Sequence, residues 1–312
     1  TIHGAINHQL ATTVGGADAR IKPAGFGAVL DGALLERVRG WPETADAVGR
    51  LQTTLSVTYR APMLVRQGDG FARTDVALSS TALGNSVRAG DDAGAMGVHR
   101  KSRGEMTRLA PPPDLLSGRM PATDDEVVVD SLLVYRLSGD YLAQKSKRDG
   151  FVLGAGPTAF LNEPRRDVPG AAGSQDDANA VNRTQRIQIG DTIEIVRQLI
   201  RQIDVPLPSF GTSVKLKVVG IAAQPPLGGR AQCCLTMPTL AKLSSTPGLT
   251  QIDIAVKKGS KPDDLVAAHR GELAKGLLLE TTEKITSGLD KNIQSSQLGM
   301  VLATVMAFMA AA

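Results

Sequence analysis

The chain ends in a run without a single charge, QLGMVLATVMAFMAAA (Gln297 to Ala312), and that run limits what the rest of it can be. An apolar stretch in this position must either pack on its own domain or leave water. The part from Leu298 to Ala312 is shorter than the ~20 apolar residues that cross a bilayer core as a helix. It reads as the first part of a transmembrane helix, with the upstream residues standing in water. An apolar helix packed onto the domain's own core is the plainer alternative. The preceding residues, TTEKITSGLDKNIQSSQ, are interrupted only by Gly288 and are expected to form a helical stalk running into the apolar run. From Thr1 there is no signal-peptide pattern of basic, apolar and small residues, so the chain is expected to be a piece of a membrane protein.

Composition narrows the function classes. With 42% hydrophobic residues among 312, the chain can bury one or two cores. Aromatics make up only 3%, which argues against stacking platforms for sugars or single-stranded nucleic acid. The net charge of +4 comes from 35 basic and 31 acidic residues spread along the chain, and the basic cluster at His99 to Arg103 is short. Nucleic-acid binding would need a longer basic stripe, so no nucleic-acid partner is expected. The two cysteines, Cys233 and Cys234, are adjacent, which rules out a disulfide framework or a metal-ligand spacing. In a strand, one of them would face the core and the other outward.

Periodicity divides the chain into pieces of an α+β protein. In the first, residues 1–60, a short strand places Ala19 and Ile21 on one side and Arg20 and Lys22 on the other. Asp31 then caps a helix with Leu34, Leu35 and Val38 on one face, ended by Gly40 and Pro42. LQTTLSVTYR, Leu51 to Arg60, alternates with period two and completes a β-α-β unit. Residues 214–281 repeat this grammar. VKLKVVGIAAQ and AQCCLTM read as strands, Pro238 opens a short helix, QIDIAVKKG alternates, and a helix carries Leu265, Val266, His269 and Leu273. The two pieces look like halves of one layer, with residues 61–213 inserted as a β-rich part. Within that insert DEVVVDSLLVYRLSG is a strand followed by a helix, and IQIGDTIEIV is two alternating runs around Gly190-Asp191. Residues 140–186 are rich in Gly, Pro, Asp, Asn and Arg and read as a flexible insertion, with residues 282–312 forming the stalk and the apolar run.

Residues that could carry chemistry do not form a constellation. Gly154-Ala155-Gly156-Pro157-Thr158-Ala159 follows FVL and matches the dinucleotide pattern, but Pro164 interrupts the long helix that would hold a pyrophosphate. Gly25-Phe26-Gly27 lacks the third small residue, and there is no phosphate-binding G-x-x-x-x-G-K-[ST]. His3, His8, His99 and His269 are far apart and outside any metal spacing. Asp124-Asp125-Glu126 reads as a solvated turn before a strand rather than a Ca²⁺ loop. No nucleophile pattern occurs. The expectation is a protein without catalytic, metal or cofactor residues of its own, and without a bound cofactor.

The motifs, in their order, resemble a known family. Gly118-Arg119-Met120-Pro121, then Asp125-Glu126-Val127-Val128-Val129 and Leu132 to Leu137, then Gly190-Asp191-Thr192-Ile193-Glu194-Ile195 and Val218 to Ile221, are similar to the extracytoplasmic core domain of macrolide-exporter-type and cell-division-type ABC permeases. The resemblance covers most of the chain, apart from the 140–186 insertion. It implies a "porter" layer of two β-α-β halves, an inserted "sabre" part, and a stalk leading into the cell membrane from its outer side. It also implies a dimeric permease, homo- or heterodimeric, paired with a cytoplasmic ABC ATPase, with a periplasmic adaptor or lipoprotein as a further candidate partner. Mechanical coupling would then pass through the stalk, with Gly288, Leu298, Gly299 and Met300 as the residues to test. A membrane-anchored binding or scaffold module without an ATPase is the competing reading, and an enzyme built on the Gly154 loop is a third.

Overall fold

The computed structural model describes residues 16–24, 30–87, 109, 113–146, 167, 171–172, 174–197, 212–224, 230–244 and 248–284. The chain opens with β1 (Ala19–Pro23), α1 (Gly32–Arg39) and β2 (Thr44–Arg50), then the long pair β3 (Gln52–Gln67) and β4 (Gly70–Val87). Next come β5 (Leu115–Gly118), β6 (Glu126–Asp130), α2 (Ser131–Arg136), α3 (Gly139–Ser146), β7 (Ala171–Ala172) and α4 (Gln175–Arg183). After these follow β8 (Thr192–Arg197), β9 (Ser213–Ala222), β10 (Gln232–Thr236), α5 (Met237–Leu243), β11 (Gln251–Val256), α6 (Pro262–His269) and β12 (Leu277–Thr281). The class is α+β, as the periodicity indicates, with most of the regular structure in strands.

Two compact units separate at Gly49/Arg50 and again at Pro247/Gly248. The first is a four-stranded sheet in the order β12-β1-β11-β2, carrying α1 and α6. Helix α1 starts where Asp31 Oδ1 accepts the Leu34 N–H at 2.7 Å and stops at Gly40. Its buried Leu34 and Val38 meet Ala19, Ile21, Ile252, Ile254, Leu265 and Leu279 in one apolar core. On the other side of the sheet Arg20 faces Asp253 across the β1–β11 pair and binds it at 2.6 Å, out of water. Such a pair contributes little net stability, but removing one partner leaves an uncompensated buried charge. This unit is built from the two ends of the β-α-β grammar, with β2, TADAVGR, supplying the strand expected of LQTTLSVTYR.

That alternating run lies instead in the second unit, as the start of β3. Alternation establishes a strand and its buried face but carries no information about its sheet. Here β3 pairs with β4 along its whole length and with β8 from Leu55 to Tyr59. The order β10-β6-β9-β8-β3-β4 then returns to its start, because β4 also pairs in parallel with β10, Leu83 opposite Gln232. The result is a closed six-stranded barrel, a closure that leaves no open edge within the ring. Leu55, Val57, Tyr59, Val127, Val129, Ile193, Ile195, Leu216, Val218 and Leu235 alternate into its interior, and α2 and α5 add Leu133, Val134, Leu240 and Leu243. Strands β9 and β10, expected to belong with the C-terminal half, are barrel staves, so that half begins with β11.

Cys233 and Cys234 do alternate, the first inside the barrel and the second outside. Both are nevertheless buried, because Val128, Val219 and Ala222 gather around Cys234. Burial first, and then the neighbouring Asp130, pushes the Cys234 thiol up to about 12, and Cys233 rises as well. Two inert thiols fit any redox compartment.

Past Tyr59 the β3–β4 hairpin extends beyond the barrel to a turn at Gly68, whose φ of 58° suits glycine. Part of the stretch expected to be flexible, helix α4, packs beside it. Ser174 caps α4 by accepting from Asp177 N–H, and Asn182 near its end offers Leu64 both halves of a backbone. Its Oδ1 accepts the Leu64 N–H at 2.7 Å and its Nδ2 donates to the Leu64 carbonyl at 2.8 Å. Pro62 shares the parity of Leu64, so its missing N–H falls on this outer edge and costs no ladder bond with β4. The IQIG segment is likewise not a strand but a turn, with Gly190 at φ 98° before β8. The proposed stalk from residue 285 onward, the Gly154 and Gly25 loops, and His3, His8 and His99 lie outside the described residues. Among the described residues, no helix is long and apolar enough to cross a membrane.

Asn182→Asp tests the edge cap. It sets a carboxylate oxygen against the Leu64 carbonyl and is expected to lower stability to urea at pH 7 by about 1–3 kcal/mol. The loss should shrink below about pH 4, where the introduced carboxyl is protonated and can again donate.

Candidate functional site

The four motif segments, scattered through the sequence, meet on one strand. Strand β9 takes β8 and then β5 along one edge, and β6 in parallel along the other. Gly118 and Gly220 face each other in the β5–β9 pair, with Gly118 at φ 80°. A Cβ on Gly118 would sit 2.2 Å from the Val219 carbonyl oxygen, and one on Gly220 would sit 2.5 Å from that of Arg119. The close backbone approach explains both glycines. Gly190 N–H donates to Val218 O and Val218 N–H to Asp191 O, each at 2.8 Å. Asp191 Oδ2 accepts from Tyr59 Oη at 2.9 Å and from Gln188 N–H at 3.0 Å, locking the turn.

In the acidic triplet Asp124 and Asp125 form the exposed turn expected of them, each tied by a threonine hydroxyl, while Glu126 is buried at the start of β6. Glu126 is buried and receives the Arg119 guanidinium on both oxygens, together with Ala122 N–H at 2.8 Å and Thr123 N–H at 3.3 Å. The Arg119 hydrogen bond, with smaller help from those backbone donors, outweighs burial and pulls the carboxyl down to about 2. Asp124 Oδ1 accepts from Thr236 Oγ1 at 2.5 Å, and Asp125 Oδ1 from Thr123 Oγ1 at 2.5 Å. Asp130 accepts Leu133 N–H at 2.7 Å as the cap of α2, and Gln232 N–H at 2.8 Å. Burial lifts its carboxyl to about 6 against those two donors, so its share of stability falls as pH rises from about 4 to about 6. All of these groups hold structure. No three His, Cys, Asp or Glu side chains among the described residues gather as metal ligands.

Three large apolar side chains of these segments are exposed. Leu115 (37% exposed), Leu116 (48%) and Ile189 (46%) are large side chains left open, and Ile189 Cδ1 would lie 2.9 Å from a Cβ at Gly118. The alternation Ile187-Gln188-Ile189 gave no sign of this, since Ile187 is fully buried while Ile189 is not.

In the first unit His269 is not a lone helix-face residue. It stacks on Trp41 with ring centroids 4.0 Å apart and planes at 6°, and it touches Glu43 and Glu272 through its two ring nitrogens. The stalk positions Gly288, Leu298, Gly299 and Met300 are outside the described residues, so neither arrangement reaches them.

Glu126→Gln separates charge from shape at the junction. Because its folded value lies below the ordinary one, the Glu126 contribution is complete above about pH 4.5 and is lost as pH falls toward 2. The variant is expected to lose about 1–2 kcal/mol at pH 7, with the half-exposed Arg119 keeping the figure small, and to show a flatter acid-unfolding profile.

No family model matches the chain, and no curated protein matches it. Among solved structures, it is similar to the periplasmic region of MacB from Actinobacillus actinomycetemcomitans, with 9% identity over 88% of this chain and 94% of that one, at a TM-score of 0.40. It is also similar to the extracellular domain of the noncanonic ABC-type transporter YknZ from Gram-positive bacteria, with 7% identity over 85% of this chain and 99% of that one, at a TM-score of 0.39.

Proposed function

We propose that the chain is the extracytoplasmic domain of an ABC transporter permease and that it converts ATP hydrolysis by a cytoplasmic partner into movement of a substrate or protein outside the membrane. The observation that carries this reading is where the chain comes into the first unit and where it leaves. Strands β1 and β12 are antiparallel neighbours, with Ala19 opposite Thr281. Just beyond them Thr282 N–H donates to Asp18 O at 2.9 Å, and Thr282 Oγ1 donates to Ala17 O at 2.5 Å. A domain carried between two membrane helices needs its two ends together in this way, because both must return to the same bilayer surface. The order of the four motifs and their meeting on β9 support the same reading.

On this reading the chain performs no catalysis, the ATPase is a separate subunit or domain, and the residues from Thr282 onward transmit the stroke. Pinning at Ala17 and Asp18 gives that transmission its fixed end: a displacement along the stalk is delivered to β12 and β1 together. A helix carries displacement at 1.5 Å per residue only while its hydrogen bonds are unbroken.

Gly288→Pro would interrupt the proposed stalk at a cost of about 3 kcal/mol in helix stability. In the full-length protein reconstituted with its ATPase, it is expected to leave ATP hydrolysis and the domain's thermal unfolding in place while abolishing transport. Retained coupling would remove the stalk from the mechanism. Purification from membranes with no ABC ATPase bound would favour an anchored scaffold.

A further inference from the structure

We propose that His269 is a proton-operated clasp, which ties the turn Trp41 to Glu43 to the end of α6 while its ring is doubly protonated and releases that turn when the ring loses a proton. This stands whether or not the domain belongs to a transporter. The hydrogen-bond arithmetic carries it. Nε2 lies 3.0 Å from Glu43 Oε2, and Nδ1 lies 3.1 Å from Glu272 Oε2. An ionised carboxylate only accepts, and a neutral imidazole has one N–H and one lone pair. Either neutral tautomer therefore turns a lone pair toward a carboxylate oxygen. Only the imidazolium satisfies both sides.

The surroundings favour the charged ring on every element packed against it. Glu43 comes from the turn ahead of β2, and Glu272 from the 3-10 turn that follows α6. Lys257, just after β11, donates from Nζ to Pro42 O at 2.5 Å and from its backbone to Glu43 O at 2.8 Å. Its charge helps to keep Glu43 ionised. The ring itself closes the last turn of α6, where the helix dipole stabilises a cation, and Trp41 stacks flat against it, a further stabilisation of a cation. Burial of His269 opposes protonation, but the hydrogen bonds and charges of the two glutamates outweigh it and raise its value above the ordinary one. The linkage sign follows: the clasp is closed below about pH 6.5 and opens as pH rises through the higher folded value. When it opens, Glu43 and Trp41 lose their tie to the end of α6, and the turn that leads into β2 is left with the two Lys257 bonds and its own backbone bonds, Trp41 N–H to Val38 O and Thr44 N–H to Trp41 O.

Trp41 is the one tryptophan among the 312 residues, so its fluorescence reports this contact directly. In the 312-residue chain titrated from about pH 5.5 to about pH 9, the proposal expects one transition with a midpoint above about 6.5. Emission should gain intensity as the quenching imidazolium disappears, and its maximum should shift to the red as Trp41 meets water. His269→Gln should flatten the profile. Glu272→Gln alters a half-exposed side chain, and it should lower the midpoint while leaving urea unfolding at about pH 9, where the clasp is open, nearly unchanged, which keeps the test open if the His269 variant unfolds. A flat profile in the parent chain, a midpoint at or below about 6.5, or an unmoved midpoint in Glu272→Gln overturns the clasp. An intensity change without a red shift overturns the release.

Discussion

Strand β9 must satisfy two edges at once, and the second unit is arranged around that requirement. Its ten residues present backbone donors and acceptors on both sides, and leaving any of them buried without a partner would cost more than a typical hydrogen bond contributes. Three strands supply the partners, and each arrives with its own locking device: Gly118 and Arg119 for β5, Glu126 for β6, the Gly190-Asp191 turn for β8. Each device lets a backbone come close or anchors the segment next to it. That explains why these short motifs stand where they do along the chain. They mark the joints of a barrel.

What the sequence revealed follows from the range over which each signal acts. Period-two alternation in LQTTLSVTYR, the Asp31 cap and the Pro238 helix start act within a few residues, and the elements they announce are in place. Partner choice acts over much longer separations. LQTTLSVTYR alternates in the same way whether it belongs to a four-stranded layer or to a barrel, and nothing within it points to β4 or β8. The helix Gln175–Arg183 teaches a different lesson. Ser174 and Asp177 stand at capping-box spacing, a local signal that was legible but outweighed by the polar composition around it. The order of the motifs could be read directly. Their meeting on β9 could not, and neither could the contact of His269 with Glu43, which are 226 positions apart.

The two units also differ in how they achieve polar satisfaction. The barrel keeps its interior apolar and places charge at the rim, in Glu126 and Asp130. The first unit instead holds Arg20 and Asp253 out of water on its second face, beside Leu109, Ala17 and Ala255. A buried ion pair adds more to register than to stability. Slipping β1 by one position against β11 would separate the two charges and turn Ile21 away from the core, so the pair and the apolar face specify the same alignment.

The insertion of one unit into the other sets the order of events during synthesis. Strand β1 is among the first to be made, yet both of its neighbours, β11 and β12, are among the last, and Arg20 waits 233 positions for Asp253. Every stave of the barrel is on hand before β11 exists, so the barrel can close early. Through that interval β1 has neither edge paired and α1 has no sheet to cover. A nascent chain in this state is a substrate for holding chaperones, and its vulnerable segment lies at the opposite end from the one still being made.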